Sequence, residues 1–561
     1  MKGIGASPGF ASGRVFIKKE FKEPVLHYIE DIEGELNQLA YASDVLMNKL
    51  KSLEIHTTDT IGEEEGQIFR AHQMILADPE LIGKVKSFIS KDKYEASYAV
   101  KVVRDEMVEL FLSLDNDYMR ERAADIKDVC GGLIKLLLGV EDINYDTEEA
   151  IVIIAHDLTP SDTAGIPKDK VSGFITAIGG VTSHTAIMSR TLEIPAVVGL
   201  SDISAFQEGQ YVIFDGSTGE IHLNPSDQTL SDFQKKSQAY DEQKKLLKTL
   251  IGKETVSLDG RKVELACNIG HPDDLQYVNQ NDGEGIGLFR SEFLYMNRTS
   301  MPTEEEQFEA YKSVLEGMGS KPVVIRTLDV GGDKQLSYLD FPKEENPFLG
   351  YRAIRYCLDH PELFKIQLRA LLKASSYGNL KIMLPMISSI DQIRRTKDLL
   401  EICEAELKTE GYDIHKYELG IMIEIPAAAI ISDQLAKHVD FFSIGTNDLI
   451  QYTTAVDRMN ETISELYSPY HPALIRLIHT VIKNGHKEGI WVGMCGEVAG
   501  QQDMIPLLYS MGLDEFSMSP SSILKSRALI NSLNQEKTNK ILEDVLELSE
   551  ASQIKEYLRQ V

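Results

Sequence analysis

Short apolar runs alternate with helical segments through the second half of the chain, and this alternation restricts the possible folds more than any other feature. Eight such runs occur over roughly 260 residues: VELACNI, GIGLFR, PVVIRTLD, KIMLPMI, GIMIEIP, FFSIGTND, WVGMCGE and EFSMSP. Eight strand–helix units in a length near ~250 residues are typical of a closed barrel of parallel strands surrounded by helices. We therefore predict a C-terminal (β/α)8 TIM barrel over residues 257–561.

The first half of the chain shows two other patterns. Residues 1–22 and 143–225 contain short strand-like runs separated by glycine and proline, whereas residues 23–142 carry apolar side chains at the three- and four-residue steps of amphipathic helices. The charged segment 226–256 predicts a linker helix. We expect a multidomain α/β and α protein, in which a helical bundle is inserted into a small α/β domain and the linker leads to the barrel.

Composition excludes several classes of protein. Hydrophobic residues make up 43% and charged residues 26% of the chain, values typical of soluble globular proteins. No apolar run approaches the ~18 residues needed to cross a membrane, and the opening MKGIGASPGFASGRVF contains no apolar core of a secretory signal. Five cysteines lie far apart without a CxxC pair, which suits a reduced, cytoplasmic location.

The net charge of −29 makes a general nucleic-acid or anionic-membrane surface unfavourable. Two interpretations of this charge stay open from composition alone. It either keeps the protein soluble or forms a docking face for a basic protein partner.

Polar side chains follow the ends of several predicted barrel strands, where barrel enzymes carry their functional groups. In chain order these residues are Arg290, Arg326, Glu424, Asn447, Asp448, Arg458 and Cys495. Arginine forks suit phosphate or carboxylate, and neighbouring carboxylates suit Mg²⁺ completed by substrate oxygens and water. An anion with Mg²⁺ on one rim indicates a phosphorylated small molecule. Individually, each charged residue is also compatible with a surface ion pair, and Cys495 with an inert buried thiol.

His184 stands in GGVTSHTAIMSR, where a strand-like run meets a predicted helix. Thr182 or Ser183 can cap that helix, and the backbone N–H groups of a helix N-terminus stabilise a phosphoryl group. A neutral imidazole is a nucleophile near neutral pH. His184 is thus either a phosphoryl acceptor or a structural residue beside a cap. A zinc site is disfavoured, because no second His or Cys lies at ligand spacing.

The segment GGVTSHTAIMSRTLEIPAVVG resembles the phosphohistidine segment of the phosphoenolpyruvate-utilising enzymes. The barrel motifs that resemble this family are GEGIGLFRSEFLYM, IRTLDVGGDKQLSY, NPFLGYRAIR, GIMIEIPAA, FFSIGTNDLIQYTTAVDR and GMCGEVAG. The resemblance runs in order over nearly the whole chain. Within the family, the architecture is similar to the Enzyme I branch of the bacterial sugar phosphotransferase system, whose members pass phosphate from phosphoenolpyruvate to the carrier protein HPr.

The resemblance implies a role for each candidate residue. His184 would be phosphorylated on Nε2 with Thr163 as a hydrogen-bond neighbour, and Cys495 would protonate the enolate carbon as pyruvate forms. Glu424 and Asp448 would hold Mg²⁺. The implied substrate-binding residues are Arg290, Arg326, Asn447, Asp448 and Arg458.

The inserted helical bundle is implied to bind HPr, and the barrel to form a homodimer. The implied docking residues are Glu63, Glu64, His72, Asp78 and Glu80. The sequence departs from the family at Val181, where a basic residue is common; the nucleophile is unaffected.

Two other functions fit the sequence less well. A pyruvate phosphate dikinase or phosphoenolpyruvate synthase needs a large ATP-binding domain, but this chain has no GxxxxGK[ST] loop. A regulatory, non-catalytic relative is expected to lack His184, Cys495 or the arginines, all of which are present.

Overall fold

The computed structural model describes residues 1–18, 22–60, 63–113, 117–140, 149–164, 166–167, 170–180, 183–296, 298–332, 336, 338–458 and 460–561. The side chains of residues 59–60, 63–65, 117–121, 184, 191 and 461 lie outside that description. The chain divides into two compact units, Met1–Gln243 and Lys244–Val561.

The first unit is built on one mixed sheet. Its strands are β1 (Ile4–Ser7), β2 (Phe10–Ile17), β3 (Ile151–Ala155), β4 (Val171–Thr176), β5 (Ala196–Val198), β6 (Tyr211–Asp215) and β7 (Glu220–Leu223). Within the described ranges their order is β1-β5-β4-β3-β2-β6-β7, with β2 to β5 parallel and the outer strands antiparallel. Alternate residues of β3 belong to two apolar clusters, because successive side chains of a strand point to opposite faces. The sheet is therefore covered on both faces.

Helices accompany this sheet, and the first five of them are inserted between β2 and β3. The helices of this part of the chain are α1 (Ile32–Thr60), α2 (Glu63–Leu76), α3 (Pro79–Asp92), α4 (Ala96–Ser113), α5 (Asp117–Leu137), α6 (Pro160–Thr163), α7 (His184–Thr191) and α8 (Asp227–Lys248). Helices α1 to α5 bury a core of their own around Leu50, Val85 and Leu133. Helix α8 falls within the predicted linker segment, and none of its side chains is fully buried.

The second unit contains a closed barrel of parallel strands. The strands are β8 (Glu264–Ile269), β9 (Gly285–Arg290), β10 (Pro322–Arg326), β11 (Asn379–Leu384), β12 (Glu418–Ile423), β13 (Phe441–Ile444), β14 (Trp491–Met494) and β15 (Glu515–Met518). Six of them lie within one of the eight apolar runs of the sequence, and β11 and β12 each begin two residues before their run. Strand β15 pairs with β8 to close the barrel. Inside, an apolar layer formed by Leu288, Val324, Met383, Met422 and Phe441 includes the thiol of Cys495.

Helices cover the outside of the barrel through a large apolar core. These helices are α9 (Leu275–Gln280), α10 (Glu304–Met318), α11 (Ile354–Asp359), α12 (Pro361–Ala374), α13 (Ile390–Thr409), α14 (Pro426–Ile430), α15 (Ser432–Leu435), α16 (Thr446–Thr454), α17 (Pro472–Lys487), α18 (Ile505–Met511), α19 (Ile523–Ile530), α20 (Gln535–Glu547) and α21 (Ala551–Leu558).

The predicted fold class is confirmed: an α/β sheet interrupted by a helical bundle precedes a (β/α)8 barrel. The exact domain boundaries stay a prediction. All five cysteines fall within the described residues, where they are buried and unlinked. In the part of the chain that the structure describes, none of the helices has the length and hydropathy required to cross a membrane.

Candidate active site

An open cleft of about 610 Å³ lies at the C-terminal ends of the barrel strands. Its lining includes every barrel residue that the sequence predicted for the site: Arg290, Arg326, Glu424, Asn447, Asp448, Arg458 and Cys495. The cleft also contains Asp329 and Arg352. Barrel closure thus gathers onto one surface side chains as far apart in the sequence as Arg290 and Cys495.

Arg326 ends β10 and is 6% exposed. Its Nη2 lies 2.5 Å from Oε1 of Glu292, and its Nη1 lies 2.9 Å from Oδ2 of Asp329. Burial opposes the charge of Arg326, but these two carboxylates outweigh burial and raise its pKa. Its buried Nε has no hydrogen-bond partner within the described residues. The guanidinium is therefore charged, oriented, and left with a donor for an incoming anion.

Arg352 is a site residue that the sequence interpretation missed. Its Nη2 donates to Oδ1 of Asp329 at 2.8 Å and lies 4.0 Å from Oδ2 of Asp448. Nε and Nη1 are buried and have no hydrogen-bond partner among the described residues. Arg352 belongs to the loop before α11. A search for functional residues at the ends of barrel strands therefore does not find it. The motif NPFLGYRAIR, which resembles the family, contains Arg352 and could have indicated it.

Two further arginines complete the positive side of the cleft. The Cζ of Arg290 lies 4.8 Å from the centroid of the Phe293 ring, and burial lowers the pKa of this arginine. Nη1 of Arg458 lies 3.8 Å from Oδ1 of Asp448. Phe348 contacts Arg458 and Arg352 together, with its ring centroid 5.9 Å and 5.7 Å from their Cζ atoms. Four guanidinium groups therefore line one cleft, an arrangement suited to a ligand with more than one anionic group.

Glu424 lies directly after β12 and is 1% exposed. Its Oε1 accepts a hydrogen bond at 2.5 Å from the backbone N–H of Met386, whose φ of 55° is in the left-handed region. Burial, with the nearby carboxylates of Asp448 and Asp329, raises the pKa of Glu424 to about 8. A divalent cation would relieve this excess of negative charge, so the residues fit a metal.

The donor set further limits which metal fits. Among the described residues, no group of three or more His, Cys, Asp or Glu side chains is arranged to hold a metal ion. Glu424 and Asp448 would supply two oxygens, and the other ligands would be substrate and water. Mg²⁺ characteristically binds in this way, through one or two carboxylates, substrate phosphate and several waters.

Cys495 follows β14 and is 5% exposed. Its backbone N–H donates to the carbonyl of Ile444 at 3.1 Å. Burial raises the pKa of the Cys495 thiol to about 12, so the thiol carries its proton at neutral pH. The next residue, Gly496, packs so tightly that a Cβ there would lie 1.7 Å from Oγ1 of Thr446. The chain can thus place a protonated thiol on the cleft only because residue 496 has no side chain.

In the first unit, α7 begins at His184, and Ser183 caps it by accepting the N–H of Ala186 at 3.3 Å. Thr163 is buried at the end of α6, where its hydroxyl lies 3.1 Å from the carbonyl of Pro160. The His184 side chain, like residues Val181 and Thr182, lies outside the described residues. The contact between Thr163 and His184 therefore stays a prediction.

Comparison with family models identifies three consecutive matches along the chain. Residues 2–122 match "PEP-utilising enzyme, N-terminal", residues 147–219 match "PEP-utilising enzyme, mobile domain", and residues 244–535 match "PEP-utilising enzyme, PEP-binding domain". The last match contains the whole strand set of the barrel and its cleft.

Three similar proteins are named phosphoenolpyruvate-protein phosphotransferase. The one from Bacillus subtilis is 49% identical over 100% of this chain and 99% of its own length, and that from Listeria monocytogenes is 50% identical over 99% and 98%. That from Priestia megaterium is 49% identical over 100% and 98%. The chain belongs to the phosphoenolpyruvate-protein phosphotransferase family. It is therefore an enzyme, and the sequence resemblance to phosphoenolpyruvate-utilising enzymes is confirmed.

The predicted docking residues of this phosphotransferase differ in accessibility. Glu80 is exposed and pairs with Lys84 at 3.4 Å, and the half-buried Asp78 caps α3 by accepting the N–H of Glu80 at 2.8 Å. The side chains of Glu63 and Glu64 lie outside the described residues. The N-terminal end of α3 thus carries two acidic side chains that a partner could contact.

His72 requires a correction, because its side chain is fully buried and cannot contact a partner in this conformation. Its Nε2 lies 3.2 Å from Oδ1 of Asp125, and its ring meets that of Phe69 edge to face. His72 therefore lies on the inner face of α2, where it links α2 to α5.

Proposed function

We propose that this enzyme transfers the phosphoryl group of phosphoenolpyruvate to Nε2 of His184 and then to a histidine of HPr, releasing pyruvate. This would be the first step of sugar uptake by a phosphotransferase system. The observation that carries the proposal is the convergence of four arginines, two metal-type carboxylates and a protonated thiol in one cleft. Phosphoenolpyruvate has a phosphate, a carboxylate and a carbon that must be protonated, which are the three groups that such a cleft suits.

The arginines would bind and orient the substrate. Arg326 and Arg352 are both held by Asp329, so their remaining N–H groups keep fixed directions. Arg290 at the end of β9 and Arg458 after α16 would add charge, and Asn447 also lines the cleft. Phosphoryl transfer depends mainly on positioning and on stabilising the charge of the equatorial oxygens, which such preoriented donors provide.

Family membership implies a metal-dependent enzyme, and we propose Mg²⁺ held by Glu424 and Asp448. When bound, it would supply positive charge that offsets the charge of the phosphoryl oxygens.

The chemical step combines formation of a nitrogen–phosphorus bond at His184 with protonation of a carbon by Cys495. The lone pair on Nε2 of His184 forms the N–P bond while the bond from phosphorus to the enolate oxygen breaks, and that oxygen keeps the electron pair. Cys495 then donates its proton to the methylene carbon, which gives pyruvate, and the thiolate regains a proton from water. Because its pKa is near 12, the thiol keeps its proton until the basic enolate carbon is present.

The second transfer would use the helical bundle of α1 to α5. The exposed Glu80 and half-buried Asp78, with the net charge of −29, favour a basic partner such as the HPr surface implied by the resemblance. His184 lies in the first compact unit and the barrel cleft in the second. The histidine must therefore approach two partners in turn, which we propose occurs by domain movement.

Isotope transfer tests the proposal. With ³²P-labelled phosphoenolpyruvate, Mg²⁺ and no nucleotide, we expect an acid-labile label on the enzyme that passes to HPr. His184→Ala should lose the label, whereas His222→Ala, which changes a histidine of the same unit whose side chain is 41% exposed, should keep it. Labelling that requires ATP would instead favour a dikinase or synthase. Absence of any label would favour a regulatory relative.

The homodimer through the barrel and the cytoplasmic location stay proposals from the resemblance and the composition. Light scattering of the purified chain tests the first: a mass near twice the 62.8 kDa of one chain is expected, and a mass near one chain would contradict it.

A further inference from the structure

A second cavity lies at the opposite end of the barrel from the cleft, among the first residues of the strands. Its volume is about 160 Å³, and we call it the basal cavity. Its lining residues are Glu264, Pro322, Val324, Lys381, Trp491, Asp514 and Glu515. A water molecule takes up about 30 Å³ in the liquid, so the space is sufficient for a small ion with part of its water shell.

Three glycines make room for the carboxyl groups of this cavity. A Cβ at Gly287 would lie 1.9 Å from Oε1 of Glu515, and a Cβ at Gly493 would lie 1.9 Å from its Oε2. A Cβ at Gly285 would lie 2.6 Å from Oε1 of Glu264. None of the three has a positive φ, so backbone conformation does not require glycine here. Glycine at these three positions leaves the space that the carboxyl groups of Glu515 and Glu264 occupy.

Among the described residues, Glu515 has no counter-ion in direct contact. It is 3% exposed, and within the described residues both of its carboxylate oxygens are buried without a hydrogen-bond partner. An unpartnered buried carboxylate costs more free energy than almost any other buried group, unless it is protonated or binds a cation. Burial raises the pKa values of Glu515 and Glu264, the latter to about 7.

The other charged groups around the cavity are already paired. Nζ of Lys381 donates to Oε2 of Glu418 at 2.7 Å, and the indole N–H of Trp491 donates to the same oxygen at 2.9 Å. Oδ2 of Asp514 accepts from the backbone N–H of Val492 at 2.8 Å and lies 2.8 Å from Nε2 of His486.

Glu284, which also acts on Glu264 electrostatically, accepts from Thr255 and from the backbone N–H of Leu265. Lys381 is thus engaged by Glu418, and the carboxylates of Asp514 and Glu284 have partners of their own, whereas the two oxygens of Glu515 have none among the described residues.

We propose that the basal cavity binds a small monovalent cation of the size of K⁺ or NH₄⁺ between Glu515 and Glu264, in exchange for protons. A divalent metal fits less well, because at the cleft the substrate phosphate would complete the ligands of Mg²⁺, whereas the lining of the basal cavity offers only side-chain carboxylates. The Trp491 ring is not the binding surface: Phe441 stacks on it at 4.4 Å, and Nζ of Lys381 lies 4.5 Å from its centroid. The site is separate from the proposed Mg²⁺ site at the other end of the barrel.

Thermal unfolding of the full chain tests the proposal. At pH 8 and equal ionic strength, we expect KCl or NH₄Cl to raise Tm above its value in choline chloride, saturably and by about 2 °C or more. Glu515→Gln should abolish this difference, and Glu543→Gln, which changes an exposed carboxylate on α20, should retain it. An equal difference in Glu515→Gln, or none in the unchanged protein, would overturn the proposal.

A second measurement needs no variant and remains decisive if Glu515→Gln does not fold. At pH 7, addition of KCl to the unbuffered protein should release more protons than addition of choline chloride, because the cation displaces protons from the carboxyl pair. Equal proton release from both salts would count against the site.

Discussion

Nη2 of Arg352 donates a hydrogen bond to Oδ1 of Asp329 at 2.8 Å. The second oxygen of the same carboxylate lies 2.9 Å from Nη1 of Arg326. Asp329 is 1% exposed, so little water competes for either contact. One carboxylate therefore sets the directions of two guanidinium groups that come from different parts of the chain.

Arg352→Lys keeps the positive charge but removes the planar fork, so we expect the KM for phosphoenolpyruvate to rise by at least about tenfold. Steady-state kinetics at saturating Mg²⁺ measure this change. Arg395→Lys on α13, where the arginine is 48% exposed, is the matched control and should leave KM unchanged. An unaltered KM in Arg352→Lys would mean that Arg352 does not contact the substrate.

Phe348 positions two arginines through its ring, so its removal should weaken substrate binding without removing any charge. We expect Phe348→Ala to raise the KM for phosphoenolpyruvate by at least about fivefold, since two contacts between a guanidinium and the ring are lost and each contributes about 0.5–2 kcal/mol. Phe348→Tyr keeps an aromatic face and should restore most of the affinity. Equal values for the two variants would argue against a role for the ring.

Cys495→Ser tests the proton donor. Rapid-quench measurements should show phosphorylation by phosphoenolpyruvate slowed by at least about a hundredfold, because a positioned acid is lost. Phosphate exchange between the enzyme and HPr forms no enolate and should keep its rate. An equal loss in both half-reactions would show that the substitution damages the protein rather than the proton transfer.

The pH dependence of Cys495 follows from the same burial. The folded pKa is raised from about 9 to about 12, so the protonated form persists well above pH 9. Iodoacetamide at pH 8 should therefore alkylate Cys495 slowly in the native protein and rapidly after denaturation. Fast alkylation of the native protein, located by peptide mass spectrometry, would contradict this assignment.

Glu424→Gln removes one proposed metal ligand while keeping the shape of the side chain. We expect the Mg²⁺ concentration that gives half the maximal rate to rise by at least about tenfold. Glu536→Gln, which changes an exposed residue of α20, should not alter it. A metal titration of the phosphorylation rate distinguishes the two.

Glu515→Gln should stabilise the protein in choline buffer at pH 8. A carboxyl group whose pKa is raised by folding makes the protein less stable as pH increases. The loss begins at the pKa of the unfolded state, ~4.3, and continues up to the pKa of the folded state. Burial raises the pKa of Glu515, so this carboxyl group destabilises the fold more at pH 8 than at pH 5. The Tm of Glu515→Gln should exceed that of the unchanged protein by about 2 °C at pH 8 and by less at pH 5. A constant difference at both pH values would exclude this cause.

Much of the fold follows from local patterns in the sequence. Each of the eight apolar runs overlaps a barrel strand, and the change to helical spacing after residue 23 corresponds to α1–α5. Such patterns are informative because a buried parallel strand must be apolar on both faces, while a surface helix needs an apolar stripe. The strand-end rule likewise placed seven predicted residues in one cleft, because parallel strands end on the same rim.

Other features depend on distances that no local pattern contains. Arg352 reaches the cleft from a loop, and the amphipathic spacing of α2 does not show that His72 packs between α2 and α5. Glu515 looks like an ordinary charged residue at the start of a strand.

By itself, the sequence determined the barrel, the inserted helices and the rim of arginines and carboxylates, since these follow from periodicity and from the shared direction of parallel strands. Only the tertiary structure decided that Asp329 holds Arg326 and Arg352 together, and that Gly287 and Gly493 enclose Glu515. The physical reason is closure of the barrel: it brings side chains from distant strands within a few ångströms and removes the water that would otherwise solvate their charges.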